Sequence, residues 1–254
     1  MDLGFVLKGG TAIRKLRAGN AGRFSTDLDF AGLTDDLAEL LLEEIDDVTV
    51  GPFKFSVEPI NGTFRARLHI DSPFGKPEIP ARLDLGRRAV WLRPETLPMI
   101  ALPIHSRYEF GTPLLIRTPQ VEEVIAEKLA RYRRSSLARD LYDLAWLASR
   151  PFDESLVRRV TVLKVWGDVN EDGLGDSPFR PADVLRTRKS EDFNPEAIGY
   201  LTTPVDIDGW IARVRRRYEF LETLDEFEVE VSTCNKGTRW KVEEAIAALS
   251  NTPN

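Results

Sequence analysis

The sequence contains little cysteine and histidine, and it has no long apolar run. One cysteine (Cys234) and two histidines in 254 residues exclude an internal disulfide framework and a histidine-rich metal site. No stretch approaches the roughly 18–20 consecutive apolar residues that a membrane-spanning helix needs. The first residues also lack the basic segment that begins a signal peptide. Together these absences predict a cytoplasmic protein with no membrane segment.

The chain has fewer basic than acidic residues, 35 against 41, and its net charge is −6. This balance disfavours nucleic-acid binding by overall charge, which requires an excess of lysine and arginine. The charges are unevenly distributed, however. Nine acids and no base lie between Phe24 and Phe53, whereas four arginines and no acid lie from Arg131 to Arg139. This segregation suits a protein that holds cations in one place and phosphates in another.

The hydrophobic pattern predicts an α+β protein in two parts. In residues 1–115, short alternating or apolar runs predict strands near residues 3–7, 27–30, 53–57, 64–70 and 79–85. Helices are expected to begin at Thr11 and after Thr34. In residues 116–254, apolar side chains at helical spacing predict helices beginning near residues 121 and 137, and over residues 154–166, 206–224 and 238–249. We therefore expect a sheet-containing core followed by a mainly helical part.

Two aspartates near the end of the second predicted strand could bind a cation. Asp27 and Asp29 are two residues apart, so their carboxylates face the same side of a strand. Mg²⁺ uses such oxygen ligands, commonly together with substrate phosphates. Asp84, on a later predicted strand, could supply a third carboxylate. An Asp-x-Asp pair on a surface strand is more often simply solvated, so both interpretations stay open at this point.

Gly9 and Gly10 lie between the first predicted strand and the first predicted helix. Glycines at such a junction let the backbone approach a ligand, and exposed amides there favour phosphate. An ordinary tight turn is the simpler explanation for the glycine pair alone. A phosphate-binding loop followed by paired carboxylates is nevertheless what binding of a nucleoside triphosphate with Mg²⁺ requires.

Four segments together resemble a known family. They are Leu7-Lys8-Gly9-Gly10-Thr11-Ala12, Arg23-Phe24-Ser25-Thr26-Asp27-Leu28-Asp29-Phe30, Ala126-Glu127-Lys128-Leu129 and Ala138-Arg139-Asp140-Leu141-Tyr142-Asp143-Leu144. They resemble the AbiEii/AbiGii nucleotidyltransferase toxins, MenT-like members of the DNA polymerase β-like nucleotidyltransferase superfamily. The resemblance implies a polymerase β-like core with a mixed or antiparallel sheet. It also implies that the helical part completes the active site.

The resemblance assigns roles to individual residues. It implies catalytic roles for Ser25, Asp27, Asp29, Lys128 and Asp143. It implies that Mg²⁺ or Mn²⁺ is bound by Asp27, Asp29 and Asp84, the last of which would help to activate the attacking hydroxyl. It further implies that the NTP is contacted by Lys8, Gly9, Gly10, Thr11 and Arg139.

The implied activity is transfer of a nucleoside monophosphate from an NTP to the 3′ end of tRNA. The implied biological role is that of a type IV toxin with a cognate antitoxin. Transfer to a protein or small-molecule hydroxyl, or a catalytically silent nucleotide-binding module, are the alternatives. From the residues alone, Asp140 and Asp143 share a helix face, and a solvated charged face is the more common reading of such a pair.

Overall fold

The computed structural model describes residues 5–75, 81–102, 114–175 and 177–250. Contacts within these residues divide the chain into two units. The sheet unit comprises the described residues of 1–19, 24–90 and 94–119. The helical unit comprises those of 20–23, 91–93 and 120–254.

The sheet unit contains a six-stranded sheet and a separate two-stranded hairpin among its described residues. The strands are β1 (Val6–Lys8), β2 (Leu28–Ala31), β3 (Thr49–Val50), β4 (Phe53–Pro59), β5 (Arg65–Asp71), β6 (Ala81–Leu85), β7 (Glu95–Pro98) and β8 (Leu115–Thr118). The sheet has the order β1-β2-β6-β5-β4-β3, and β7 pairs with β8. Strands β2 and β6 are parallel, and the other neighbours are antiparallel. The sheet is therefore mixed.

Two helical segments pack on the strands of this unit. Helix α1 (Gly9–Ala12) follows β1 directly and continues as a π-helical segment, Ile13–Ala18. Helix α2 (Asp35–Ile45) begins where the hydroxyl of Thr34 accepts a hydrogen bond from the amide of Leu37. One face of the sheet is covered by a core whose buried members are Leu33, Leu41, Ala66, Leu68, Leu83 and Leu85. The opposite faces of β2, β5 and β6 are left for polar side chains, because successive side chains of a strand alternate.

The helical unit consists of α3 (Val121–Arg134), α4 (Ala138–Leu147), α5 (Glu154–Asn170), α6 (Pro181–Leu185), α7 (Ile207–Arg217), α8 (Glu226–Ser232) and α9 (Arg239–Ser250). Helix α3 packs against both α4 and α5. The apolar side chains of these three helices that are fully buried include Ile125, Leu129, Leu141, Leu144, Leu147 and Leu163. The leucines predicted from helical spacing thus form the centre of this unit.

A buried ion pair fixes residues 91–93 within the helical unit. The carboxylate of Glu123 accepts hydrogen bonds from the amides of Trp91 and Leu92, and Lys164 Nζ lies 2.6 Å from Glu123 Oε1. The same ammonium lies 3.9 Å from the centre of the Trp91 ring. Because the charge of Glu123 is both paired and hydrogen-bonded, it is tolerated at full burial.

Most predicted elements are confirmed. The main differences are helices α6 and α8, which the spacing analysis did not predict, and the predicted helix at 206–224, whose α-helical part ends at Arg217. The predicted strand starts at residues 3 and 79 lie outside the described residues. Within the described part of the chain, no helix is both long and apolar enough to cross a membrane.

Candidate active site

The pairing of β2 with β6 brings two aspartates side by side. In this parallel register Asp29 lies opposite Asp84, and Leu28 lies opposite Leu83. Leu83 is fully buried in the core on one face of the sheet. Since side chains alternate along a strand, Asp29 and Asp84 lie on the other face. Asp27, two residues before Asp29, lies on that face as well.

Two of these three carboxylates, those of Asp27 and Asp84, each form an ion pair with an arginine of the sheet. Arg82 Nη2 lies 2.9 Å from Asp27 Oδ2, and Arg65 Nε lies 3.2 Å from Asp84 Oδ2. All four side chains are partly exposed, with between 32% and 56% of their surface accessible. The sequence analysis found the three aspartates but missed both arginines. The Arg-x-Asp alternation at residues 82–84 was the available signal.

The glycine loop lies directly against this carboxylate face. Gly9 has φ +76°, and a Cβ atom there would stand 1.9 Å from Asp29 Oδ2. Only glycine therefore fits between β1 and the carboxylate without a rearrangement. The hydroxyl of Thr11 donates to the carbonyl of Asp27, which joins α1 to the segment that enters β2. Gly9, Thr11, Asp27 and Asp29 are thus neighbours where β1, α1 and β2 meet.

The remaining predicted residues of the sheet unit lie next to these. Lys8 is the last residue of β1 and pairs in register with Asp29. Gly10 is buried in α1, and Ser25 is half-buried in the irregular segment that precedes β2. The predicted nucleotide-contacting and metal-binding residues of this unit therefore lie around the end of β1 and the start of β2, with Asp84 of β6 beside Asp29.

The donor set fits a divalent cation in its chemistry. Three carboxylates on one face supply the hard oxygen ligands that Mg²⁺ prefers. Within the described residues, no group of three carboxylate, histidine or cysteine side chains converges on a single point as a formed metal site would. Two of the three aspartates are instead turned towards Arg82 and Arg65.

In the helical unit, Lys128 joins two aspartates of the neighbouring helix. Its Nζ lies 3.0 Å from Asp140 Oδ1 and 2.7 Å from Asp143 Oδ2. Lys128 is 5% exposed, Asp140 is inaccessible and Asp143 is 2% exposed. The interpretation of Asp140 and Asp143 as a solvated face is therefore wrong, because α3 covers that face of α4.

Two arginines complete this buried network. Arg23 donates from Nε and Nη2 to both oxygens of Asp143, at 3.1 and 3.2 Å. Arg131 Nε lies 2.6 Å from Asp140 Oδ2. Burial alone would raise the pKa of Asp140, but Lys128 and Arg131 together hold that pKa well below its ordinary value. Three cations and two carboxylates leave the network with one net positive charge.

Sequence reasoning found Lys128 and Asp143 but missed the contributions of Arg23, Asp140 and Arg131. Arg131 follows Lys128 by three residues and Asp143 follows Asp140 by three, so each helix presents a pair towards the other. The predicted NTP-binding residue Arg139 lies in the first turn of α4, partly exposed. Its Nε is buried and has no hydrogen-bond partner among the described residues.

Comparison with known proteins shows similarity over nearly the whole chain. The family model for the nucleotidyl transferase AbiEii toxin, type IV TA system, matches residues 2–247. The solved structure of MenT4, a nucleotidyltransferase toxin from Mycobacterium tuberculosis H37Rv, is 47% identical and superposes with a TM-score of 0.90. The match covers 97% of this chain and 85% of MenT4.

More distant similarity is found to two Helicobacter pylori structures, one of which is JHP933. Both are 20% identical to this chain, with TM-scores of 0.48 and 0.45. The matches cover 87% and 86% of this chain, and 89% and 85% of the H. pylori chains. At this distance neither contributes to the assignment. No curated protein matches the chain.

Proposed function

We infer the activity of this chain from its family, since it belongs to the nucleotidyltransferase AbiEii toxins of type IV toxin–antitoxin systems. We propose that it transfers a nucleoside monophosphate from an NTP to the 3′ end of tRNA, using Mg²⁺ or Mn²⁺. The observation that carries the metal and nucleotide assignment is the carboxylate face. There Asp29 lies opposite Asp84 in register and directly against Gly9. A cognate antitoxin is the expected partner of a toxin of this type.

The residues of the sheet unit would divide the chemistry among them. Asp27, Asp29 and Asp84 would hold the metal, and the backbone amides of Gly9 and Gly10 would approach the triphosphate. The divalent ion, when bound, supplies positive charge that screens the triphosphate and favours ionisation of the acceptor hydroxyl. The acceptor oxygen attacks the α-phosphorus, the bond from that phosphorus to the β-phosphate oxygen breaks, and pyrophosphate leaves. Asp84 would accept the proton that the hydroxyl loses.

Positioning and electrostatics would supply most of the rate enhancement, as in other phosphoryl transfers. The Ser25 hydroxyl, two residues before Asp27, would contact the triphosphate. Lys8, Thr11 and Arg139 would contribute further to NTP binding.

We propose that the helical unit is required as well. The Lys128 network carries one net positive charge when Arg131 is included, whose side chain is 37% exposed, and this balance favours an anionic substrate. Lys128 would offset triphosphate charge, and Asp143 would fix the position of Lys128.

A tRNA acceptor is supported by the arginines at the end of α7. Arg213, Arg215 and Arg216 are exposed there, whereas Trp210 and Val214 of the same helix are buried. Exposed arginines on one short helix can bind a phosphate backbone although the whole chain is acidic.

The decisive experiment is a transfer assay with each α-³²P-labelled NTP, Mg²⁺ and total tRNA. We expect label on the RNA from at least one NTP. Asp27→Asn should lower transfer by at least about 10–100-fold, since even substitutions of residues that only orient a metal ligand cost that much. Asp36→Asn is the matched control, because Asp36 is exposed on α2 and lies outside the carboxylate face. Full activity of Asp27→Asn would contradict the metal assignment.

The same transfer assay, together with a measurement of thermal stability, separates the alternative functions. Label that resists ribonuclease and is lost to protease, after a cell lysate is added, would identify a protein hydroxyl as the acceptor. Label on a small molecule would identify a small-molecule acceptor. Mg²⁺-dependent thermal stabilisation by NTP without any transfer would identify a silent nucleotide-binding module.

A further inference from the structure

Arg82 is one of two arginines that pair with the carboxylate face, and it pairs with Asp27. Its Nε lies 3.4 Å from Asp27 Oδ1 and its Nη2 lies 2.9 Å from Asp27 Oδ2, so the guanidinium contacts both oxygens of that carboxylate. The pKa of Arg82 is raised first by the hydrogen bond and charge of Asp27, then by the charges of Asp29 and Asp84. All three predicted metal ligands therefore act on this one side chain.

The strand register explains this position. The alignment that sets Asp29 beside Asp84 sets residue 82 beside residue 27 at the next position on the same face. Two carboxylates side by side repel each other, and a neighbouring positive charge offsets that repulsion. Arg82 supplies this charge from within the chain.

Resting on the proposed metal dependence, we propose that Arg82 is an internal competitor for the metal site. A divalent ion that binds Asp27 either displaces this guanidinium from one oxygen or shares that oxygen with a second positive charge, and either change opposes metal binding. Mg²⁺ demands near-octahedral oxygen geometry, so Asp27 has to be oriented for the ion while Arg82 contacts both of its oxygens. Arg82 thereby weakens metal binding until an NTP brings its own phosphate ligands.

Arg67 provides a matched control. It lies directly opposite Arg82 in the β5–β6 register and is 60% exposed, against 55% for Arg82. Arg67 pairs with Glu58 at 3.1 Å and with none of the three aspartates. Replacing it removes the same charge from the neighbouring strand and leaves the Asp27 contact intact.

The test is Mn²⁺ binding to the full chain without nucleotide, measured from the free-Mn²⁺ electron paramagnetic resonance signal. We expect Arg82→Gln to bind Mn²⁺ about three- to fivefold more tightly, since an exposed ion pair contributes up to about 1 kcal/mol, or about fivefold. Arg67→Gln should change the affinity by less than about 1.5-fold, because screened charges at this exposure interact weakly. Asp27→Asn should abolish the site.

Two results would overturn the role of Arg82 and leave the proposed metal site standing. Unchanged or weaker binding by Arg82→Gln would mean that Arg82 does not oppose the metal. Equal tightening by Arg67→Gln and Arg82→Gln would reduce the effect to overall charge. Wild-type binding that Asp27→Asn leaves intact, or no binding at all, would overturn the proposed metal site together with the role of Arg82. Circular dichroism of each variant confirms that it is folded.

Discussion

Replacement of Asp140 by Asn tests whether the buried network stabilises the helical unit. The substitution keeps the size of the side chain and removes its charge. Asp140 is inaccessible and lies 3.0 Å from Lys128 Nζ and 2.6 Å from Arg131 Nε. After the change, Lys128 keeps Asp143 at 2.7 Å, but Arg131 faces an amide that matches it poorly.

The size of the expected loss in unfolding free energy depends on which charges of the network remain paired after the substitution. Removing one partner of a buried ion pair costs about 3–5 kcal/mol when the other charge is left alone. Here Lys128 retains a carboxylate, and the side chain of Arg131 is 37% exposed and can turn towards water. We therefore expect a loss of about 2–3 kcal/mol, which corresponds to a decrease in Tm of about 5–10 °C for a chain of this size.

Tryptophan fluorescence during urea unfolding measures this loss selectively. All five tryptophans lie in the helical unit, at positions 91, 146, 166, 210 and 240. Glu244→Gln is the control, because Glu244 is exposed on α9 and its substitution should cost less than about 0.5 kcal/mol. A loss for Asp140→Asn no larger than that of the control would refute the reasoning, since the network would then contribute nothing to stability.

Three further predictions concern pH and local structure. The pKa of Asp140 is depressed in the folded chain. Its contribution to the free energy of unfolding is therefore complete above about pH 5 and is lost as the pH falls through that pKa. Urea titrations between pH 6 and 3 should show a steeper loss of unfolding free energy for the wild type than for Asp140→Asn. Gly9→Ala places a Cβ 1.9 Å from Asp29 Oδ2 at φ +76°. It should cost at least about 1–2 kcal/mol by circular dichroism and reduce NMP transfer, and wild-type values for both would contradict the close approach. Thr34→Ala removes the cap that accepts from Leu37 at 3.3 Å and should cost about 0.5–2 kcal/mol, whereas Thr34→Ser should retain most of it.

The local features of the candidate site could be predicted from the sequence. Asp27 and Asp29 lie on one face because side chains alternate along a strand. The glycine pair lies at the start of α1, directly after β1, and α2 begins directly after Thr34, as the sequence predicts. Each of these features depends on residues within a few positions of one another, where backbone geometry leaves few alternatives.

The environment of the charged residues could not be predicted in this way. Asp140 and Asp143 share a helix face in any α-helix, but only the packing of α3 against α4 buries that face. Arg23 joins the network from about 120 residues away in the chain, which no local pattern indicates. Whether a charged face is solvated or buried depends on which element covers it.

The sequence by itself indicated most of the helices and strands and the family, and it predicted the residues on which the chemistry would depend. The tertiary structure alone decided that β6 pairs with β2 in parallel, in the register that puts Asp84 beside Asp29 and Arg82 beside Asp27. That pairing is selected by burial of apolar side chains such as Leu83 on the opposite face of the sheet. A shift of one residue would expose Leu83 and separate the charges, so the same hydrophobic core that stabilises the sheet also fixes the carboxylate face.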